Sequence, residues 1–128
     1  MTASQTRLPL LFVIGDSISL DYGPHLERML AGWYRYGRKS GEDEARLNLD
    51  KPVGGNGGDS SMVLAYLAGL ERAGGFRPDL LLWNCGLHDI KTDPKTGARQ
   101  VPLQSYQKNL REILALLTRL KLSSAWVR

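Results

Sequence analysis

Three short turns in this chain hold most of the residues whose types could do chemistry together: Gly15-Asp16-Ser17, Gly57-Gly58-Asp59-Ser60 and Gly86-Leu87-His88-Asp89. A serine hydroxyl becomes a nucleophile when a base, an acid that orients the base and donors for an oxyanion converge on it. Ser17 is the candidate for that role, with Asp16 bracing its turn. Ser17 could otherwise do no more than cap a helix. His88 could act as a base with Asp89 orienting it, the arrangement used by serine triads. Cys85, at the end of an apolar run, reads as a small core hydrophobe and not as a reactive thiol.

Each turn follows a segment that could place it at the edge of a sheet. Leu10 to Ile14 is a five-residue apolar run, right for a buried strand and too short for a helix. Pro24 marks a helix start, and Leu26, Met29, Leu30, Trp33 and Tyr34 carry an apolar stripe to about Tyr36, where Gly37 stops it. Leu47 and Leu49 alternate with polar residues and predict a short edge strand. Pro52 to Gly58 is a loop, followed by cap candidates at Asp59, Ser60 and Ser61 and a helix carried by Met62, Val63, Tyr66, Leu67 and Leu70. Gly74-Gly75 stops that helix. Asp79 to Asn84 predicts a third strand, covered on both faces. Lys91 to Pro102 reads as an excursion loop, and Leu103, Tyr106, Leu110, Ile113, Leu114, Leu117 and Leu120 form the strongest helical stripe. A fourth strand opens at Ser124. The alternation of strand and helix predicts a single α/β domain over residues 1–128 with a doubly wound parallel sheet, which brings the three turns to one edge.

The content and order of those turns resemble the SGNH (GDSL-type) hydrolase superfamily. That resemblance implies a three-layer, flavodoxin-like fold with strand order 2-1-3-4-5 and a serine ester hydrolase working through a Ser17 acyl-enzyme. It implies that Gly58 and His88 form the oxyanion hole beside the serine's own N–H, with Asp16 and Asp89 in support. His88 stands where the family usually has Asn, and an imidazole N–H can donate in its place. The family's Asp-x-x-His motif, which supplies the base, occurs nowhere in the 128 residues. The resemblance therefore implies a domain cut short of its last strand, triad turn and last helix, and nearly inactive as it stands. A fourth strand left as an unpaired edge invites pairing between chains. Substrates implied are small esters or acylated carbohydrates, and no cofactor is called for. A non-catalytic binding module, or an acyltransferase using the same serine, are the alternatives.

Composition narrows the field further. The net charge of +4 comes from basic residues interspersed with acids and without interleaved aromatics, so nucleic-acid binding is not expected. One Cys and two His cannot fill a four-ligand zinc site without carboxylates. The loop from Gly54 to Gly58 lacks the Gly-Lys-Ser/Thr ending of a phosphate cradle. Met1 to Leu11 shows neither a signal peptide nor a membrane span, so a cytoplasmic protein is expected, with secretion of a longer precursor left open.

Overall fold

The computed structural model describes residues 7–128; the first six residues of the Met1 to Leu11 segment lie outside them. Strands β1 (Leu10–Ile14), β2 (Arg35–Arg38), β3 (Leu80–Trp83) and β4 (Ser124–Trp126) form one sheet in the order β2-β1-β3-β4. Every pairing is parallel, with Leu11 opposite Leu80 and Ile14 opposite Trp83. Helices α1 (Ser17–Leu30), α2 (Glu42–Leu47), α3 (Ser60–Ala73) and α4 (Leu103–Arg119) connect the strands. The expected α/β class with a parallel sheet is the class observed.

Successive strand residues face opposite sides of a sheet, and the burial of β1 alternates from Leu10 to Val13 before Ile14, buried as well, closes the strand. Phe12 and Ile14, with Leu81 and Trp83 of β3, join one core cluster with Val63 and Leu67 of α3 and Ile113, Leu116 and Leu117 of α4. Leu11 and Val13 are buried outside that cluster, as is Leu20 of α1. The core therefore lies mainly between the sheet and the α3–α4 pair. On α4 the buried stripe is narrower than the apolar spacing predicts, because Leu103 and Leu114 are exposed while Leu116 is buried.

The segment between β1 and the glycine loop departs from the expectation. The first helix starts at Ser17, not at Pro24, because the Asp16 carboxylate accepts from the Ile18 N–H at 3.0 Å and caps it there. Pro24 then falls inside the helix, where it cannot donate to the Leu20 carbonyl. The Arg46 guanidinium donates to that carbonyl instead. The helix ends at Leu30 rather than near Tyr36, followed by Gly32 at φ +85°. Met29 and Trp33, counted as core by spacing, are 79% and 75% exposed.

The second strand is correspondingly displaced. It lies at Arg35–Arg38, and the predicted strand at Leu47 and Leu49 is instead the end of α2 and a turn. Glu42, Asp43 and Glu44 in the first turn of α2 with Arg46 in its last suit the helix dipole. Gly37 admits the Phe12 ring beside β2: a Cβ there would stand 3.0 Å from Phe12 Cδ2. That approach lets a polar, glycine-containing segment serve as an edge strand.

Replacing Leu67 by Ala should lower unfolding free energy by about 2–5 kcal/mol, since the residue is fully buried in the α3–α4 core. Leu114→Ala, on the wet face of α4, should change it by less than about 0.5 kcal/mol. Urea unfolding of both variants checks the assignment of faces, and equal losses would contradict it.

Candidate active site

Ser17 is the first residue of α1, directly after β1 and the Gly15-Asp16 turn. Asp16 is 2% exposed, its Oδ1 capping the helix and its main-chain oxygen accepting from the Ser19 hydroxyl at 2.6 Å and the Ser19 N–H at 3.0 Å. The N–H groups of Ile18 and Ser19 are thus committed to Asp16. That of Ser17, the first of the helix, has no preceding turn to donate to. Asp16 Oδ2 is buried without a hydrogen-bond partner among the described residues. Gly15 admits close packing, because a Cβ there would lie 2.7 Å from Ser19 Cβ and 3.1 Å from Asn84 Oδ1.

The glycine loop is tied to this turn through its backbone. The Gly57 N–H donates to the Gly15 carbonyl at 2.7 Å, so the residue before Gly58 is fixed to the residue two before Ser17. Gly58 has φ +74°, a conformation that costs a side-chain-bearing residue steric strain. Its N–H donates to Asn56 Oδ1 at 2.9 Å. Asn56 is fully buried, and its amide also reaches the Leu49 carbonyl at 3.4 Å. Sequence reasoning missed Asn56. The signal for it was an Asn two residues before a Gly, the spacing of an Asx-turn.

In the third turn, Asp89 is 1% exposed and directs its carboxylate at the start of α3. It accepts from the Ser60 N–H at 2.9 and 3.0 Å and from the Ser60 hydroxyl at 2.6 Å, while Asn109 of α4 donates to the same hydroxyl at 2.9 Å. These bonds join the third turn, the second turn and α4. They commit Asp89 to Ser60 and not to orienting His88. Asp59 caps α3 through the Met62 N–H at 3.0 Å and accepts from Gln100 at 2.8 Å. Burial opposes the Asp59 charge, but hydrogen bonds from Ser61, Gln100 and Met62 outweigh it and hold the carboxyl below the usual carboxylate range.

His88 is 3% exposed, and its Nδ1 has no hydrogen-bond partner among the described residues. Burial, and then the Lys91 ammonium, keep its pKa below the ordinary histidine value, against the opposing pull of Asp16, Asp59 and Asp89. The imidazole is therefore neutral at pH 7 and carries a single ring N–H. Cys85 is buried and, mainly by that burial, has its thiol pushed up to about 12, as befits a core residue. His25 lies exposed on α1 beside Arg28.

Beside the first and third turns a cavity of about 490 Å³ opens at the carboxyl ends of β3 and β4, with Ser17, Gly58 and His88 outside its lining. Asp16 and Ile18, the two neighbours of Ser17, line it together with Leu87, Ile90, Tyr106 and Trp126. Ile18, Leu87, Ile90 and Trp126 are also among the exposed large hydrophobic residues. The volume falls within the roughly 300–1,000 Å³ typical of small-molecule sites. Among the described residues no group of three or more His, Cys, Asp or Glu side chains is placed to hold a metal ion. No helix there is long and apolar enough to cross a membrane.

The depressed His88 pKa makes stability fall with acid. Below about pH 6.5 the unfolded chain takes up a proton that the buried imidazole resists, so unfolding becomes easier as pH falls towards the folded-state pKa. Urea unfolding of the wild type should lose stability between pH 7 and 5 relative to His88→Asn, which cannot titrate. Parallel pH curves for the two proteins would contradict the burial of a neutral His88.

Neither protein-family models, nor curated proteins, nor solved structures yielded a match to this chain.

Proposed function

We propose that this chain carries the nucleophile of a serine ester hydrolase of the SGNH type, with the flavodoxin-like arrangement that type implies. The observation that carries the reading is the position of Ser17. It opens a capped helix at the carboxyl end of β1, beside the point where the sheet order turns from β1–β2 to β1–β3, and open α/β sheets bind ligands at such switch points. The adjoining apolar cavity offers room for the acyl or alcohol part of an ester.

In this reading the Ser17 hydroxyl attacks the ester carbonyl and its proton passes to a general base, a role that no described side chain hydrogen-bonded to Ser17 Oγ fills. The tetrahedral oxyanion is met by the Ser17 N–H, the His88 ring N–H and the Gly58 N–H. The last of these must turn from Asn56 Oδ1 or be shared with it. Collapse expels the alcohol, which takes up the proton, and leaves an acyl-Ser17 ester. Water, deprotonated by the same base, attacks that ester and releases the carboxylic acid and free Ser17. Asp16 and Asp89 support the site as braces.

Loss of the base lowers turnover about a million-fold in the subtilisin series. The 128-residue chain alone is then a very slow esterase, and a binding module that keeps the pocket is the second reading. What favours that reading is the absence, among the described residues, of any side chain hydrogen-bonded to Ser17 Oγ.

The product of the native reading frame should be labelled by a fluorophosphonate, and Ser17→Ala should abolish the label. A base-containing protein that stays unlabelled while binding esters would replace the hydrolase reading with the binding module. An acyltransferase would show itself by a sugar acceptor outcompeting water for the acyl group. The open edge of β4, with Trp126 45% exposed, should make the 128-residue chain self-associate. Sedimentation equilibrium checks this, and a concentration-independent monomer would count against it.

A further inference from the structure

We infer that Arg38 is a positioning residue for the nucleophile turn, an inference that rests on the reading of Ser17 as nucleophile. Arg38 ends β2, and its half-buried guanidinium bridges two segments that are far apart in sequence. Nη1 donates to the Ser19 carbonyl at 2.9 Å, and Nη2 donates to the Ser19 hydroxyl at 2.9 Å and to the Gly55 carbonyl at 2.9 Å. Ser19 passes the restraint on, since its hydroxyl donates to the Asp16 main-chain oxygen at 2.6 Å. Gly55 lies three residues before Gly58 in the glycine loop. One side chain thus ties the start of α1, which carries Ser17, to the loop that carries Gly58, in addition to the backbone bond from Gly57 to Gly15.

The partners of Arg38 are all neutral. The ion pairs among the described residues are Lys108–Glu112 and Arg119–Glu71, so no carboxylate pairs directly with Arg38. A half-buried cation without a counter-ion is costly to keep if packing or charge pairing were its only use. What the guanidinium supplies is a rigid planar fork with several donors, which can reach two chain segments in one geometry. A lysine ammonium carries the same charge but lacks that fork. The neighbouring Lys39 shows the contrast, making one hydrogen bond, to the Asn56 carbonyl at 3.2 Å, while its ammonium stands 5.4 Å from the centre of the Tyr66 ring.

Positioning residues of this kind act on rate, because an ångström of misplacement at a reacting centre can cost about a hundred-fold. In the product of the native reading frame, Arg38→Ala should slow fluorophosphonate labelling of Ser17 by about 10- to 100-fold, well below the variant's own melting temperature. Arg38→Lys should be slowed as well, which separates geometry from charge. Millimolar guanidinium should restore part of the Arg38→Ala rate and none of the Arg38→Lys rate, a response that a loss of general stability would not produce. If Arg38→Ala does not fold, the Arg38→Lys rate alone decides. Wild-type labelling with unchanged rates in folded variants, or slowed rates without guanidinium rescue of Arg38→Ala, would overturn the role of Arg38. An unlabelled wild type would overturn the nucleophile reading and this role with it.

Discussion

The Asp89 carboxylate is sealed from water at the end of β3 and takes its hydrogen bonds from the N–H and hydroxyl of Ser60. A buried charge is tolerable only where donors replace the water it has lost, and the N-terminus of α3 provides them together with a favourable dipole. The rest of the site hangs on this bond. Together with the Asp59 cap it fixes where α3 begins, and hence where the glycine loop must end. Through Asn109 it reaches α4, and through its own carbonyl, which accepts from the Val101 N–H at 3.0 Å, it draws back the segment that returns from the excursion loop.

Around that side-chain clamp two main-chain bonds add further ties: the Gly57 N–H donates to the Gly15 carbonyl and the Asn84 N–H to the Ile14 carbonyl. Small residues at Gly15 and Gly57 allow the approach. Side chains then make the remaining ties: Asn56 within the glycine loop, Arg38 between the loop and the first turn, Arg46 at the carbonyl that Pro24 leaves free. Polar closure of this kind works because the α3–α4 core beneath supplies the hydrophobic stability that the turns themselves lack.

The strands and helices that build that core were legible because their apolar residues are also their buried residues. Leu10 to Ile14, Leu80 to Trp83, the α3 stripe and most of the α4 stripe obey this rule. The segment from Met29 to Leu49 does not. Met29, Trp33 and Leu47 are large, apolar and exposed, so spacing that looks like a core face is not one. Conversely, Arg35–Arg38 is a strand whose polar composition hides it, since its pairing with β1 is decided by backbone hydrogen bonds and by the Phe12 ring over Gly37. The candidate site was legible to a similar degree. Ser17, Asp16, His88 and Asp89 stand out as polar residues after strands, whereas Asn56 and Arg38 belong to a loop and a cryptic edge strand.

By itself, the sequence determined the α/β class and the approximate position of every strand except the second. It also determined the first and third polar turns at the ends of β1 and β3, because local hydrophobic periodicity and turn residues act over a few positions, whereas the second turn follows α2 and a loop instead of a strand. Only the tertiary structure decided the true second strand and the helix start at Ser17. Only it showed that Asp89 belongs to Ser60 rather than to His88, that Gly58 donates to Asn56, and that Arg38 spans two turns. Those outcomes depend on which buried polar groups find partners among residues far apart in the chain, a competition that no local pattern records.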